Sequence, residues 1–236
     1  MSLHLGTSGW AYAEWKPDFY PAGTPRDRFL EHYASVLGAC EINATHYRLQ
    51  SESAVARWAA AVPDGFRFVA KAHRRLTHAS VLGDAPAFME DFLESLRPLG
   101  SKLGAVLLQL PPSRKRDDAA LAALMSQVPP HLPFAMEFRH DSWDHEDITT
   151  AVVEAGGTLC VSDTTGTPLD ALPPGRIAYV RLRAEEYSED ARRRWLDLLQ
   201  REAATRPVYA FAKHEGVPAG NPFAGVTMAE WMANQT

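Results

Sequence analysis

Glu41, Lys71, Gln109, Glu137, Arg139 and Arg181 share a placement. Each stands near the end of a short strand-like run in which large apolar side chains alternate with smaller or polar ones. In Phe134-Ala135-Met136-Glu137-Phe138-Arg139, the period of two puts Phe134, Met136 and Phe138 on one face and Ala135, Glu137 and Arg139 on the other. The run from Ile177 to Arg183 sets Ala178, Val180 and Leu182 opposite Tyr179, Arg181 and Arg183. Lys71 shares a face with His73 in the run from Phe68, and Glu41 and Asn43 flank Ile42. Carboxylates beside cations in a partly desolvated cup push one another's pKa values apart, so one site can hold both an acid and a base. Glu137 and Lys71 are the first candidates for that chemistry, with Glu41 beside them.

These residues need a scaffold that brings many strand ends together. Eight β-like runs fall at about 3–7, 39–43, 66–72, 104–110, 134–139, 158–162, 177–183 and 207–213. Amphipathic helical stretches follow most of them, at Arg26 to Leu37, Glu52 to Ala61, Ala85 to Leu96, Asp117 to Gln127, Glu146 to Ala155, Glu189 to Glu202 and Thr227 to Ala233. The segment after Asp163 shows no helical pattern. Thr24 before Pro25 reads as a helix cap, and Gly38, Gly100 and Gly156 read as helix ends. Parallel strands joined by helices need both faces covered, so the expected fold is α/β, a single TIM-barrel-like (β/α)8 barrel over residues 1–236, with an open doubly wound sheet as the alternative. In a closed barrel the strands of Cys40 and Cys160 lie opposite one another, too far apart for a disulfide. The barrel mouth would also receive Asp163, Arg183 and Lys213.

Composition narrows the function class. The chain has 236 residues, 46% hydrophobic and 22% charged, with a formal net charge of -5. That charge gives no global attraction to a polyanion, so nucleic-acid binding would rest on a local basic patch. No stretch approaches the roughly 20 apolar residues of a membrane span, and Met1 to Leu5 runs into a strand pattern; a cytoplasmic protein without membrane partners is expected. There is no Walker loop, no GxSxG and no GxGxxG, which disfavours nucleotide-triphosphate hydrolysis, the α/β-hydrolase triad and a dinucleotide site. His46, His73, His78, His140 and His145 lie near strand ends without metal-ligand spacing, so no metal is assigned. The residues name no cofactor and set no oligomeric state. The loop from Gly6 to Pro21 carries Trp10, Tyr12, Trp15, Phe19 and Tyr20, and is either a lid or a cover for one end of the barrel, with Trp10 the residue expected to meet a ligand.

The blocks GTSGWAYAEWKPDFYP (6–21), EINATHYRL (41–49), LLQLPP (107–112), FAMEFRHDSW (134–143) and YVRLR (179–183) resemble the YecE-like family, domain of unknown function 72. The resemblance spans nearly the whole chain. It implies a TIM-barrel-like fold and no established reaction. The family's recurrent polar residues fall on Ser8, Trp10, Glu41, Asn43, Tyr47, Lys71, His78, Gln109, Glu137, Arg139, His140, Trp143 and Arg181. Two places depart from its pattern: Arg183-Ala184 stands where a His-Gly pair is common, and Ala212-Lys213-His214 where a Phe-Asn-Asn run is common.

The expected function is an enzyme, a hydrolase or lyase, acting on a small phosphorylated or carboxylated anion by general acid-base chemistry. Arg139 and Arg181 would bind the anion, Glu137 would carry a proton, and Lys71 would hold its charge, stabilise an oxyanion or form a Schiff base. Glu41 and Asn43 would orient the reacting group, with Trp10, Tyr47, His78 and Gln109 as further substrate-binding candidates. The alternative is a nucleic-acid binder or a metal-dependent phosphodiesterase resembling an endonuclease. A purely structural reading competes with both, in which Glu41, Lys71, Glu137 and Arg181 only neutralise one another.

Overall fold

A computed structural model describes residues 2–236. Eight strands, β1 (Leu3–Thr7), β2 (Ala39–Ile42), β3 (Arg67–Lys71), β4 (Leu103–Gln109), β5 (Phe134–Glu137), β6 (Gly157–Asp163), β7 (Ala178–Leu182) and β8 (Val208–Ala212), pair in parallel in chain order. β8 returns to β1, with Leu3 beside Val208 and Thr7 beside Ala212, which closes the barrel. The alternative of an open sheet is thereby set aside. Closure leaves no strand edge unpaired.

Around the barrel run α1 (Phe29–Val36), α2 (Ala44–Tyr47), α3 (Glu52–Ala60), α4 (Arg74–Thr77), α5 (Pro86–Leu96), α6 (Asp118–Met125), α7 (Glu146–Glu154), α8 (Glu189–Ala203) and α9 (Gly225–Ala233). Ser51, Asp117 and Ser188 cap α3, α6 and α8 by accepting a backbone N–H of the first turn. Thr24 does not act as a cap: a 3-10 turn at Arg26–Arg28 precedes α1, and Pro25 flanks it without any side-chain hydrogen bond. The connection from β6 to β7 has no helix, as the absence of a helical pattern after Asp163 implies. The single-turn helices α2 and α4 escape periodicity because four residues are too few to show it.

Apart from the half-buried middle of β6, the strands are largely buried on both faces, so their side chains divide into two cores. Outward residues such as Phe68, Val106, Met136 and Val180 pack under the helices. Inward ones fill the barrel unevenly: Ala39, Val69, Ala105 and Ala135 on β2 to β5 face Tyr179, Tyr209 and Phe211 on β7 and β8. Small residues on one wall admit large rings from the other, which fills the interior without a pore. The Tyr209 hydroxyl reaches across to Gly104, where a Cβ would lie only 2.4 Å from it. Between β1 and β2 the fully buried Tyr33 hydroxyl from α1 accepts from Thr7 N–H at 2.8 Å and donates to the Ala39 carbonyl at 2.8 Å. A Cβ on Gly6 would fall 1.9 Å from that same carbonyl oxygen, so the seam tolerates no side chain there. Cys40 faces the outer core and Cys160 the inner one, and both are free thiols.

Candidate functional site

Above the aromatic floor, the C-terminal ends of the strands carry a buried polar layer. Arg181 on β7 donates from one η nitrogen to Glu41 on β2 and from the other to Glu137 on β5, both at 2.8 Å. All three side chains are at most 3% exposed. The carboxylates are saturated from other directions as well. Glu41 accepts from the Ser8 hydroxyl at 2.9 Å and from the Tyr179 hydroxyl at 2.7 Å. Glu137 accepts from the Gln109 amide at 2.6 Å and from Arg139 Nε at 2.9 Å. Burial pushes the Glu137 carboxyl up, but the Arg181 and Arg139 charges and the Gln109 hydrogen bond outweigh it and hold the group below the usual carboxylate range. Burial opposes the Arg181 charge, and Glu41 and Glu137 more than restore it.

Above this layer opens a cavity of about 350 Å³, lined by Tyr12, Asn43, Tyr47, Lys71, Gln109, Arg139, Arg181, Arg183, His214 and Glu215. Four cations face one carboxylate on this list, because Glu41 and Glu137 lie beneath it, spanned by Arg181. Arg139 spends only Nε on Glu137, and its two η nitrogens bond to nothing among the described residues. Arg183 gives one η nitrogen to Glu215 at 3.3 Å. Lys71 Nζ has no hydrogen bond and no carboxylate within 4.0 Å among the described residues, and it is not sealed from solvent as Asn43 Oδ1 and Arg181 Nε are. Burial and the nearby Arg181 charge bring the Lys71 ammonium down to about 8, with Glu41 and Glu137 offsetting part of the effect. A larger cleft of about 530 Å³, with Leu93, Leu96, Leu103 and Leu132 in its walls, lies by the N-terminal ends of β4 and β5. The mouth is the candidate site, because active sites of this fold are built at that end and the unpaired Lys71 and Arg139 nitrogens converge there.

The structure gathers Asn43, Tyr47, Lys71, Gln109, Arg139 and Arg181 around one cavity, with Glu41 and Glu137 directly below. Trp10 is elsewhere: its ring meets Trp58 of α3 edge-on at 5.3 Å and Phe68 at 6.2 Å, on the outer layer. Tyr12 is the loop residue that reaches the mouth, stacked on His214 at 4.4 Å. Trp15, Phe19 and Tyr20 are buried, and Tyr20 stacks on Phe29 of α1 at 4.1 Å. They form the cover rather than the lid. His78 sits outside the cavity lining, bonded to Thr77, with its ring 5.1 Å from His46. His73 caps α4 instead of pointing into the mouth. Asp163 also leaves it: its carboxylate turns outward, accepting from Trp195 Nε1 at 3.0 Å and from Thr165 and Gly166 N–H groups. The residue lies at odd register to Cys160, so alternation sends it to the helix side. Lys213 is engaged by Glu185. His214 and Glu215 also line the mouth; they belong to the loop after β8, where no period applies, and the sequence marks only His214, as part of a departure from the family's pattern. Among the described residues no group of three or more His, Cys, Asp or Glu side chains is placed to hold a metal ion.

A closed eight-stranded parallel barrel with a polar C-terminal mouth places the chain in the TIM-barrel class of α/β proteins. The family model described as "Protein of unknown function DUF72" matches residues 4–235, so the chain belongs to that family. It is 29% identical over 149 residues to UPF0759 protein YunF of Bacillus subtilis, covering 60% of this chain and 52% of that one. It is 28% identical over 139 residues to UPF0759 protein YecE of Escherichia coli K12, covering 58% and 48%. The chain spans about half the length of the curated relatives it matches. A DUF72 protein of Thermotoga maritima superposes with a TM-score of 0.79 at 24% identity, covering all of this chain and 98% of that one. One from Enterococcus faecalis gives 0.77 at 18% identity, covering 99% and 94%. These structures share the fold. No helix among the described residues is long and apolar enough to cross a membrane.

Proposed function

We propose that the chain is an enzyme that binds a small anionic substrate, phosphorylated or carboxylated, in the barrel mouth and moves a proton on it. The observation that carries this reading is the unspent positive charge of Lys71 and the Arg139 η nitrogens at a cavity whose inner carboxylates are already bonded. Arg139 offers its paired η nitrogens to an anion, and Arg183 supplies a second charge on the other wall. Lys71, at about 8, is the lining group best poised to exchange a proton near neutral pH. Glu41 and Glu137 act one step removed. Each is a carboxylate with every oxygen engaged, and together they fix the Arg181 plane on which the mouth rests.

The test is a thermal-shift screen with phosphorylated sugars, carboxylic acids, nucleotides and short oligonucleotides. A ligand at about 100 times its Kd adds about 2.7 kcal/mol of stability. Small anions should raise the Tm of the wild type and not of Arg139→Met. No shift with any anion class would remove the proposal. Tyr47, 67% exposed at the rim, favours a second reading in which a nucleic-acid phosphate occupies the mouth and a base stacks on the ring. Oligonucleotide binding that falls steeply with salt would support this second reading over the first.

A further inference from the structure

We propose that Lys71 forms an imine with its substrate, and that the substrate is a small anion carrying an aldehyde or ketone carbonyl close to its acidic group. This rests on the mouth being the substrate site. The other lysines are occupied or remote from any cavity of this kind. Lys102 donates to the Ala59 and Val62 carbonyls at 2.8 Å each, Lys213 pairs with Glu185, and Lys16 lies over the Phe29 ring at 5.2 Å. Lys115 is exposed on the surface. Among the described residues, Lys71 is the lysine that lines the mouth, and its Nζ has no hydrogen-bond partner there.

Its surroundings raise the neutral-amine fraction of Lys71 well above that of an ordinary lysine, while the ammonium still predominates at about pH 7. The charged groups that act on it are Glu41 from β2, Glu137 and Arg139 from β5 and its extension, and Arg181 from β7. The carboxylates nearest to it spend their oxygens on Arg181, Arg139, Ser8, Tyr179 and Gln109, so neither neutralises an ammonium at Lys71 by direct contact. A partly desolvated ammonium without a hydrogen-bonded counter-ion is costly, and losing the proton relieves that cost. The cavity of about 350 Å³ is at the small end of ligand pockets, which suits a compact molecule held between Arg139 and Lys71.

The step balances without a redox partner. The Lys71 Nζ lone pair adds to the carbonyl carbon, the C=O π pair moves to oxygen, oxygen gains a proton and nitrogen loses one, giving a carbinolamine. A second proton on that oxygen lets the C–O bond break, water leaves, and the nitrogen lone pair forms C=N. Solvent at the open mouth exchanges the protons, and hydrolysis reverses the sequence. The protonated imine then withdraws electrons from the adjacent carbon, which suits cleavage or deprotonation next to the former carbonyl.

The experiment incubates the protein with pyruvate, glyoxylate or dihydroxyacetone phosphate, reduces with borohydride, and maps adducts by peptide mass spectrometry. In parallel, competitive acetylation with acetic anhydride across pH ranks Lys71 against Lys16, Lys102, Lys115 and Lys213. Near pH 7 the free-amine fraction of a lysine at about 8 exceeds that of an ordinary one by about two hundredfold, a ratio that shrinks above pH 8, so Lys71 should label well ahead of exposed Lys115 at neutral pH. A reduced adduct confined to Lys71 supports the proposal. Labelling of Lys71 no faster than Lys115, or adducts spread evenly over all lysines, overturns it. If no probe is trapped at Lys71 while the same anions raise the Tm, the imine falls and the anion site stands; if neither occurs, both fall.

Discussion

Arg181 and Glu41 meet at 2.8 Å although 140 positions separate them in the chain, and neither is more than 3% exposed. Barrel closure alone makes them neighbours, since β2 and β7 are never adjacent in the strand order. Their pairing, with Glu137 on the other side of the guanidinium, turns the top of the barrel into one electrostatic unit.

Arg181→Met should therefore destabilise the protein by about 3–5 kcal/mol at neutral pH, because two buried carboxylates lose their shared cation. Urea unfolding reads this as a lower midpoint with an unchanged m-value. Arg181→Met combined with Glu41→Gln and Glu137→Gln should recover part of the loss, and a triple variant no more stable than the single one would contradict the account.

The acid limb carries the same network. Glu137 has a folded-state pKa below its unfolded value of about 4.3, so its contribution is full above that value and is lost as pH falls through the folded pKa. Glu137→Gln should flatten the stability profile on the acid side of pH about 4.3. Unfolding midpoints followed from neutral pH downwards check this, with a slope equal to the wild type as the contrary result.

Lys71 has the opposite sense. Its folded pKa of about 8 lies below the ordinary lysine value of about 10.4, so between these limits the unfolded chain holds the extra proton and stability rises with pH. Lys71→Met should be more stable than the wild type at pH 7 by roughly 1–2 kcal/mol, with the gap closing as pH rises from 8 towards 10.4. Equal stability of the two proteins throughout would show that the ammonium bears no burial cost.

Tyr33→Phe should cost about 1–3 kcal/mol, since the Thr7 N–H and the Ala39 carbonyl each lose a buried partner in the seam between β1 and β2. Hydrogen exchange at the Thr7 amide offers a local readout. Loss of protection there before the rest of the barrel is the expected pattern.

Arg139→Met separates binding from folding. The side chain is 37% exposed and shares Glu137 with two other donors, so stability should change by less than about 1 kcal/mol. Binding of the stabilising anion, measured by calorimetry, should weaken at least about tenfold.

Much of the architecture is local information. Eight apolar runs, most of them followed by helical periodicity, dictate a parallel sheet covered on both faces, and the period of two assigns Glu41, Lys71, Gln109, Glu137 and Arg181 to the inner wall. The same rule, carried through β6, sends Asp163 outward to Trp195, although its position at a strand end suggests the mouth. Trp10 was beyond such a rule because an irregular loop has no period; packing against Trp58 and Phe68 decided its direction. Alternation fixes which side of a strand a group occupies, because each residue is turned from the last by the pleat. Which groups then touch depends on the closure that brings β2, β5 and β7 around one space. That closure gives Arg181 to both glutamates and leaves Lys71 with none, a distinction between structural and available charge that only the tertiary fold could make.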